Sequence, residues 1–182
     1  MSNKPLFDRV ALIGLGLIGS SLGHAMKRDG LAGHVAGSAR TEDTCAKALE
    51  IGFVDSASVD PVEAVANADL IVICTPVGVI ADVAALIAPT LKSGAIVTDV
   101  GSVKGAVIKA MTPHIPDGVH LVPGHPVAGT EHSGPEAGFA DLFRDRFSIL
   151  TPPPEADAGA VERLAAFWRA LGSDVEVMEA EH

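Results

Sequence analysis

The chain has 182 residues, 48% of them hydrophobic and 20% charged, which is enough apolar content for the core of one domain and far from the composition of disordered chains. A formal net charge of −10 repels phosphate backbones and anionic headgroups, so nucleic acid and membrane surfaces are not expected partners. The apolar runs are strand length, short of the ~20 residues of a bilayer span.

Short Val- and Ile-rich runs alternate along the chain with longer stretches at helical spacing, the pattern of a parallel sheet covered by crossover helices. The first residues, Met1 to Pro5, lack the apolar stretch of a secretory signal, so a cytoplasmic location is expected. A strand over 10–13 ends at Gly14, and from Leu17 the period changes to that of a helix stopping near Gly30. A second strand is expected at 34–38, then a helix capped by Thr41, with Glu42 and Asp43 at its positive end and Gly52 closing it. Cys45, within that helix, and Cys74 lie far apart and outside any CxxC pair, which gives no support to a disulfide framework or a metal site. The run Asp60-Pro61-Val62-Glu63 resembles a capping box opening a short helix, ahead of a strand at 69–74 with both faces buried. Val79, Val83, Leu86 and Ile87 form one stripe of the next helix, followed by a strand at 95–100 and a helix at 103–111. Strands near 119–122 and 147–151 are expected to carry the sheet onward. Pro152-Pro153-Pro154 is a stiff connector, after which Val161, Leu164, Ala165, Trp168 and Leu171 mark a helix and residues 174–177 a last strand of the same sheet. The chain ends at 179–182 without a helix stop signal. The fold class is α/β, a Rossmann-type doubly wound, mostly parallel sheet with helices on both faces. Residues 1–151 form the dinucleotide-binding core, and 152–182 complete the same domain.

Gly14-Leu15-Gly16-Leu17-Ile18-Gly19 matches GxGxxG, and it follows a strand and opens a helix as dinucleotide binding requires. Gly14 permits the tight turn, Gly16 the approach of a pyrophosphate, and Gly19 close helix packing, with Leu17 and Ile18 in the cradle at the helix start. The acid that would bind NAD ribose hydroxyls about 20 residues on is missing. The strand ends instead with Gly37-Ser38-Ala39-Arg40, so Ser38 and Arg40 suit a 2′-phosphate: NADP is the preferred cofactor and NAD the alternative.

Cys74, Thr75 and Pro76 end one strand, and Gly101 and Ser102 follow another, on the carboxyl edge where open α/β sheets bind ligands. A long loop at 123–143 then combines prolines and glycines with His125, Glu131, His132 and several hydroxyls, a density of polar groups typical of a site. His125 is the natural base for a hydroxyl being oxidised near neutral pH.

The glycine turn, the stretch Thr98-Asp99-Val100-Gly101-Ser102-Val103-Lys104 and above all the run Gly124-His125-Pro126-Val127-Ala128-Gly129-Thr130-Glu131-His132-Ser133-Gly134 resemble the prephenate/arogenate dehydrogenase family, the oxidative step of tyrosine biosynthesis. The resemblance implies that His125 accepts the proton of the substrate's ring hydroxyl while hydride leaves the same carbon for the nicotinamide. Loss of carboxylate then makes the ring aromatic. It also implies that Ser102 hydrogen-bonds near that hydroxyl and that Thr130 and Glu131 lie by the substrate, a small molecule, either prephenate or arogenate. Family members carry a helical second domain that supplies homodimer contacts and an arginine for the substrate carboxylate. This chain stops before such a domain, so cofactor binding with poor turnover is expected. Lys104, Arg144 and Arg146 are the cations near the loop that could meet an anionic substrate. Two other readings stay open: a β-hydroxyacid dehydrogenase-like enzyme, which would use a lysine on a later helix, and a nucleotide-binding module without catalysis.

Overall fold

The computed structural model describes residues 4–179; the expectations placed on residues 1–3 and 180–182 lie outside them. In chain order the first elements are β1 (Phe7–Ile13), α1 (Leu17–Asp29), β2 (Ala32–Ser38), α2 (Glu42–Ile51), β3 (Ser56–Ser58), α3 (Pro61–Val65) and β4 (Leu70–Ile73). They continue with α4 (Ile80–Ile87), β5 (Ile96–Asp99), α5 (Lys104–Met111) and β6 (His120–Leu121). These strands form one parallel sheet in the order β3-β2-β1-β4-β5-β6. The order reverses between β1 and β4, which opens a crevice at their carboxyl ends. β3 has no apolar run to announce it: it is Ser-Ala-Ser at the sheet edge, held by its register with β2.

The remaining strands depart from expectation. β7 (Gly124–Pro126), β8 (Phe147–Leu150) and β9 (Asp174–Val177) form a separate three-stranded sheet, with β7 antiparallel to β8 and β8 parallel to β9. β8 and β9 therefore do not extend the parallel sheet. β6 is only two residues long, and Pro123, which has no amide to donate, ends the run that follows it. His125 likewise sits on a strand, in register with Ile149, rather than in an irregular loop.

Local chemistry sets the helix ends. Gly30 and Gly52 adopt left-handed conformations (φ 63° and 97°) that close α1 and α2, and Thr41 Oγ1 accepts from the Thr44 amide at 3.2 Å. The start of α3 is not a capping box: Asp60 accepts from the Val62 amide at 3.0 Å, while the Glu63 carboxylate accepts from the Ser58 hydroxyl at 2.6 Å. In α4 the inward face is Ile80, Ala84 and Ile87, with Val83 partly buried. Val79 and Leu86 are exposed, because a 3-10 turn over Val77–Val79 delays the helix and resets its phase.

Each face of the parallel sheet has its own core. On one side α1 and α6 (Ala158–Ala170) pack with Phe7, Phe143, Phe167 and Trp168; on the other lie α3, α4 and α5 with Ile71, Ile73, Ile80, Ile87 and Val107. The aromatic rings meet edge to face at centroid distances of 5.3 to 6.0 Å, and each side chain so buried contributes about 1.5–3 kcal/mol. Asp157 caps α6 by accepting from the Ala160 amide at 2.8 Å.

Candidate functional site

The turn after β1 is built by exclusion. Gly14 has φ +103°, and a Cβ there would lie 2.8 Å from the Cys74 carbonyl oxygen; a Cβ on Gly19 would lie 2.1 Å from the Gly14 carbonyl oxygen. Both positions require glycine. Around Gly16, by contrast, a Cβ would meet nothing within 4 Å. Gly16 is the N-cap of α1, no side chain caps the helix there, and its first turn, with Leu17 and Ile18, holds no acidic residue. The positive end of this 13-residue helix is thus uncapped by any side chain and has room beside Gly16, which fits the pyrophosphate of a dinucleotide. The Gly14 amide donates to the Ser38 carbonyl oxygen at 2.8 Å, so the end of β2 is tied to the turn. Ser38 is buried, and Arg40 is exposed with no ion-pair partner among the described residues.

Beyond β4, Cys74 is half-buried, and burial pushes its thiol up, with the charge of Asp99 adding to the effect; it is no nucleophile. The Thr75 hydroxyl is enclosed and has no hydrogen-bond partner among the described residues. Pro76 is exposed and precedes the 3-10 turn, and a Cβ on Gly101 would lie 3.1 Å from Val77 Cγ2, so the loops after β4 and β5 touch. Ser102 follows, exposed, two residues before Lys104 at the start of α5.

Asp99, the last residue of β5, is fully buried. Its Oδ2 accepts from the Gly101 amide at 2.8 Å and from the Lys104 ammonium, and its Oδ1 accepts from the Gly124 amide at 3.2 Å. Lys104 Nζ also donates to the Gly124 carbonyl oxygen at 2.6 Å. Burial pushes the Lys104 ammonium below its ordinary range, and the Asp99 carboxylate works against that shift. Lys104 is therefore not a cation offered to an anionic substrate, as its sequence position led us to expect. Arg144 pairs with Asp141 at 3.2 Å.

His125, next to Gly124, is half-buried; its Nδ1 is enclosed and has no hydrogen-bond partner among the described residues. An enclosed polar atom left unpaired costs about 1–3 kcal/mol, so Nδ1 and the Thr75 hydroxyl are both groups that a ligand or water would complete. Thr130 and Glu131 stand on the exposed turn beyond β7, where the Thr130 hydroxyl accepts from the His132 amide at 3.1 Å. Backbone and side-chain contacts thus link the glycine turn, Cys74, Gly101 and Gly124 along one rim, with Ser102 and His125 next to the last two in the chain, whereas Thr130 and Glu131 are exposed on the turn beyond β7. Asp99 was not singled out from the sequence. Its signal is an acidic residue ending a strand buried on both faces, which must be paired, with a lysine five residues on.

Residues 22–177 match the family described as prephenate dehydrogenase, nucleotide-binding domain. The chain belongs to that family. A cyclohexadienyl dehydrogenase of Zymomonas mobilis is 41% identical over 177 residues, 97% of this chain and 60% of that protein. A prephenate dehydrogenase of Bacillus subtilis is 32% identical over 177 residues, 96% of this chain and 48% of that protein. Prephenate dehydrogenase from Aquifex aeolicus, crystallised with hydroxyphenyl propionate and NAD+, superposes with a TM-score of 0.88 at 27% identity, covering 99% of this chain and 62% of that one. Synechocystis arogenate dehydrogenase gives a TM-score of 0.88 at 32% identity, with 94% of this chain and 60% of that one covered. The chain therefore spans about half to three-fifths of the length of these relatives. In such a nucleotide-binding domain, the carboxyl rim of β1, β2 and β4 is where open α/β sheets take a dinucleotide.

Proposed function

We propose that this chain is the dinucleotide-binding part of an oxidoreductase that oxidatively decarboxylates prephenate or arogenate, with NADP preferred over NAD. The pyrophosphate lies at the open N-terminus of α1 beside Gly14, Gly16 and Gly19, and Arg40 with Ser38 takes the 2′-phosphate. The nicotinamide, when bound, supplies the hydride acceptor. His125 takes the proton of the ring hydroxyl as the hydride leaves the carbon that bears it. The bond to the ring carboxylate then breaks, CO2 departs, and its electron pair makes the ring aromatic, so the resulting phenolate recovers the proton from His125. Ser102 hydrogen-bonds beside that oxygen, and Thr130 and Glu131 border the rest of the substrate. A cytoplasmic location and, for a full-length family member, a homodimer accompany this assignment.

The observation that supports it most is the seat of His125: its neighbour Gly124 is bonded to Asp99 at the end of β5, on the rim that also carries the glycine turn. The test is His125→Asn in the full native chain, assayed with prephenate and with arogenate. Loss of a positioned base predicts a fall in kcat of about 10²–10⁴-fold, with the dinucleotide Kd unchanged. An unaltered kcat would remove the proton acceptor and leave a binding module.

A further inference from the structure

We infer that the buried Asp99–Lys104 pair is the device that positions His125, acting through the backbone of Gly124. This rests on the assignment of His125 as proton acceptor. The hydrogen bonds between β7 and β8 alternate: the Val127 amide donates to the Phe147 carbonyl oxygen at 2.7 Å, and the Thr151 amide to the Pro123 carbonyl oxygen at 2.9 Å. In an antiparallel pair this alternation turns the amide and carbonyl of Gly124 to the opposite edge. β7 ends its sheet, so among the described residues no strand pairs with that edge. The two charged side chains take both groups instead, Asp99 Oδ1 accepting from the Gly124 amide at 3.2 Å and Lys104 Nζ donating to its carbonyl oxygen at 2.6 Å.

Charge-assisted hydrogen bonds are roughly twice as strong as neutral ones, and here water does not compete, since Asp99 and Lys104 are both buried. With both polar groups of Gly124 held, the backbone leading into His125 has a fixed orientation, and the imidazole is aimed by it. The same carboxylate holds the Gly101 amide at 2.8 Å, immediately before Ser102. One side chain thus fixes the residue preceding each of the two assigned catalytic groups. Glycine suits position 124, because a Cβ would lie 3.3 Å from the Asp99 carbonyl oxygen, Leu150 Cδ2 and Thr98 Oγ1 alike. Stability alone does not call for the pair, since buried ion pairs are commonly no more stabilising than apolar residues of the same volume. Positional specificity does.

The experiment is a double-mutant cycle in the full native chain. Asp99→Asn combined with Lys104→Met removes both charges together, keeps the volumes and leaves no unpaired ion. In the unmutated background we expect kcat to fall at least tenfold while the dinucleotide Kd and the substrate KM stay within twofold. In a His125→Asn background the same pair of changes should lower kcat by a clearly smaller factor, because the imidazole being aimed is gone and only the contact that reaches Ser102 through Gly101 is left to lose. Equal losses in both backgrounds, or a double variant with kcat within twofold of the unmutated protein, overturn the inference. If His125→Asn by itself leaves kcat intact, the base assignment fails, which is a separate result. Should the double variant not fold, Lys104→Arg retains both charges but presents them in a different shape. It should lower kcat at unchanged KM, and full activity in it would overturn the inference equally.

Discussion

The six-stranded parallel sheet and the three-stranded sheet beside it are held together by different means. In β4 and β5 every residue is buried, and cores on both faces fix the strands without help from side-chain charge, Asp99 excepted. In the small sheet Phe147 and Val177 are each 52% exposed and Asp174 and Glu176 face solvent, while Phe143, Phe167 and Trp168 support it from the α6 side. Its free edge is then registered by an ion pair. Gly124 and Pro126 of β7 are buried, but β7 is the edge of its sheet, so charged hydrogen bonds supply there the register that a neighbouring strand supplies elsewhere, and the imidazole assigned to chemistry stands between these two residues. The larger sheet, by contrast, offers its ligand backbone amides and open space.

The steric rule on the parallel sheet can be broken directly. Gly19→Ala would place a methyl group 2.1 Å from the Gly14 carbonyl oxygen, which is backbone and cannot rotate aside. Overpacking of this kind costs about 3 kcal/mol, so urea unfolding should shift to clearly lower midpoints and dinucleotide binding should be lost with it. Gly16→Ala, with nothing within 4 Å of the new carbon, should leave the midpoint unchanged and weaken dinucleotide binding alone. Equal destabilisation by the two would mean that the turn is packed rather than open.

Most of the larger sheet was legible from residues 10–111 because burial on both faces writes itself as Val- and Ile-rich runs, and Gly30, Gly52 and Thr41 mark helix ends chemically. The phase of α4 was not, since Val79 and Leu86 fit a helical stripe as well as Ile80 and Ala84 do until the 3-10 turn is known. Nor was the second sheet. A strand's own residues state how buried it is and not which strand it joins, so β8 and β9 read as continuations of the first sheet. Of the rim residues, the glycines were legible from their spacing and His125 from its setting. The tie between Asp99, Lys104 and Gly124 spans 25 residues of sequence and is visible only in three dimensions.

The two regions should also separate in function. Arg40 lies just past β2 on the larger sheet, exposed and without an ion-pair partner among the described residues, so its guanidinium is available to a phosphate. Arg40→Ala removes one charge-assisted hydrogen-bonding group, about 1.5 kcal/mol, and should raise the NADP Kd roughly tenfold while leaving the NAD Kd nearly as it was. At saturating cofactor kcat should not change, the converse of His125→Asn. Calorimetric titration with both dinucleotides decides the point. An unmutated protein that binds NAD more tightly than NADP would reassign the end of β2.

The smallest effect is acid sensitivity, and it should fall on the larger sheet. Asp55 Oδ2 accepts from the Val35 amide at 2.8 Å and Asp69 Oδ2 from the Arg9 amide at 2.9 Å, tying β2 and β1 respectively, and Lys27 and Lys92 pair with the other oxygens. Burial pushes both carboxyls up, but the lysine and amide hydrogen bonds more than offset it, and both are held below their ordinary range. A carboxyl whose folded pKa is depressed stabilises the fold above its unfolded pKa of about 3.9, and the contribution is lost as pH falls through the folded value. Between pH 7 and pH 3, amides of β1 and β2 should therefore lose hydrogen-exchange protection ahead of those of β8. In Asp55→Asn and Asp69→Asn the difference in unfolding midpoint between those two pH values should narrow. A difference as wide as in the unmutated protein would mean that these carboxylates do not hold the strands and that the amino edge of the sheet relies on burial alone.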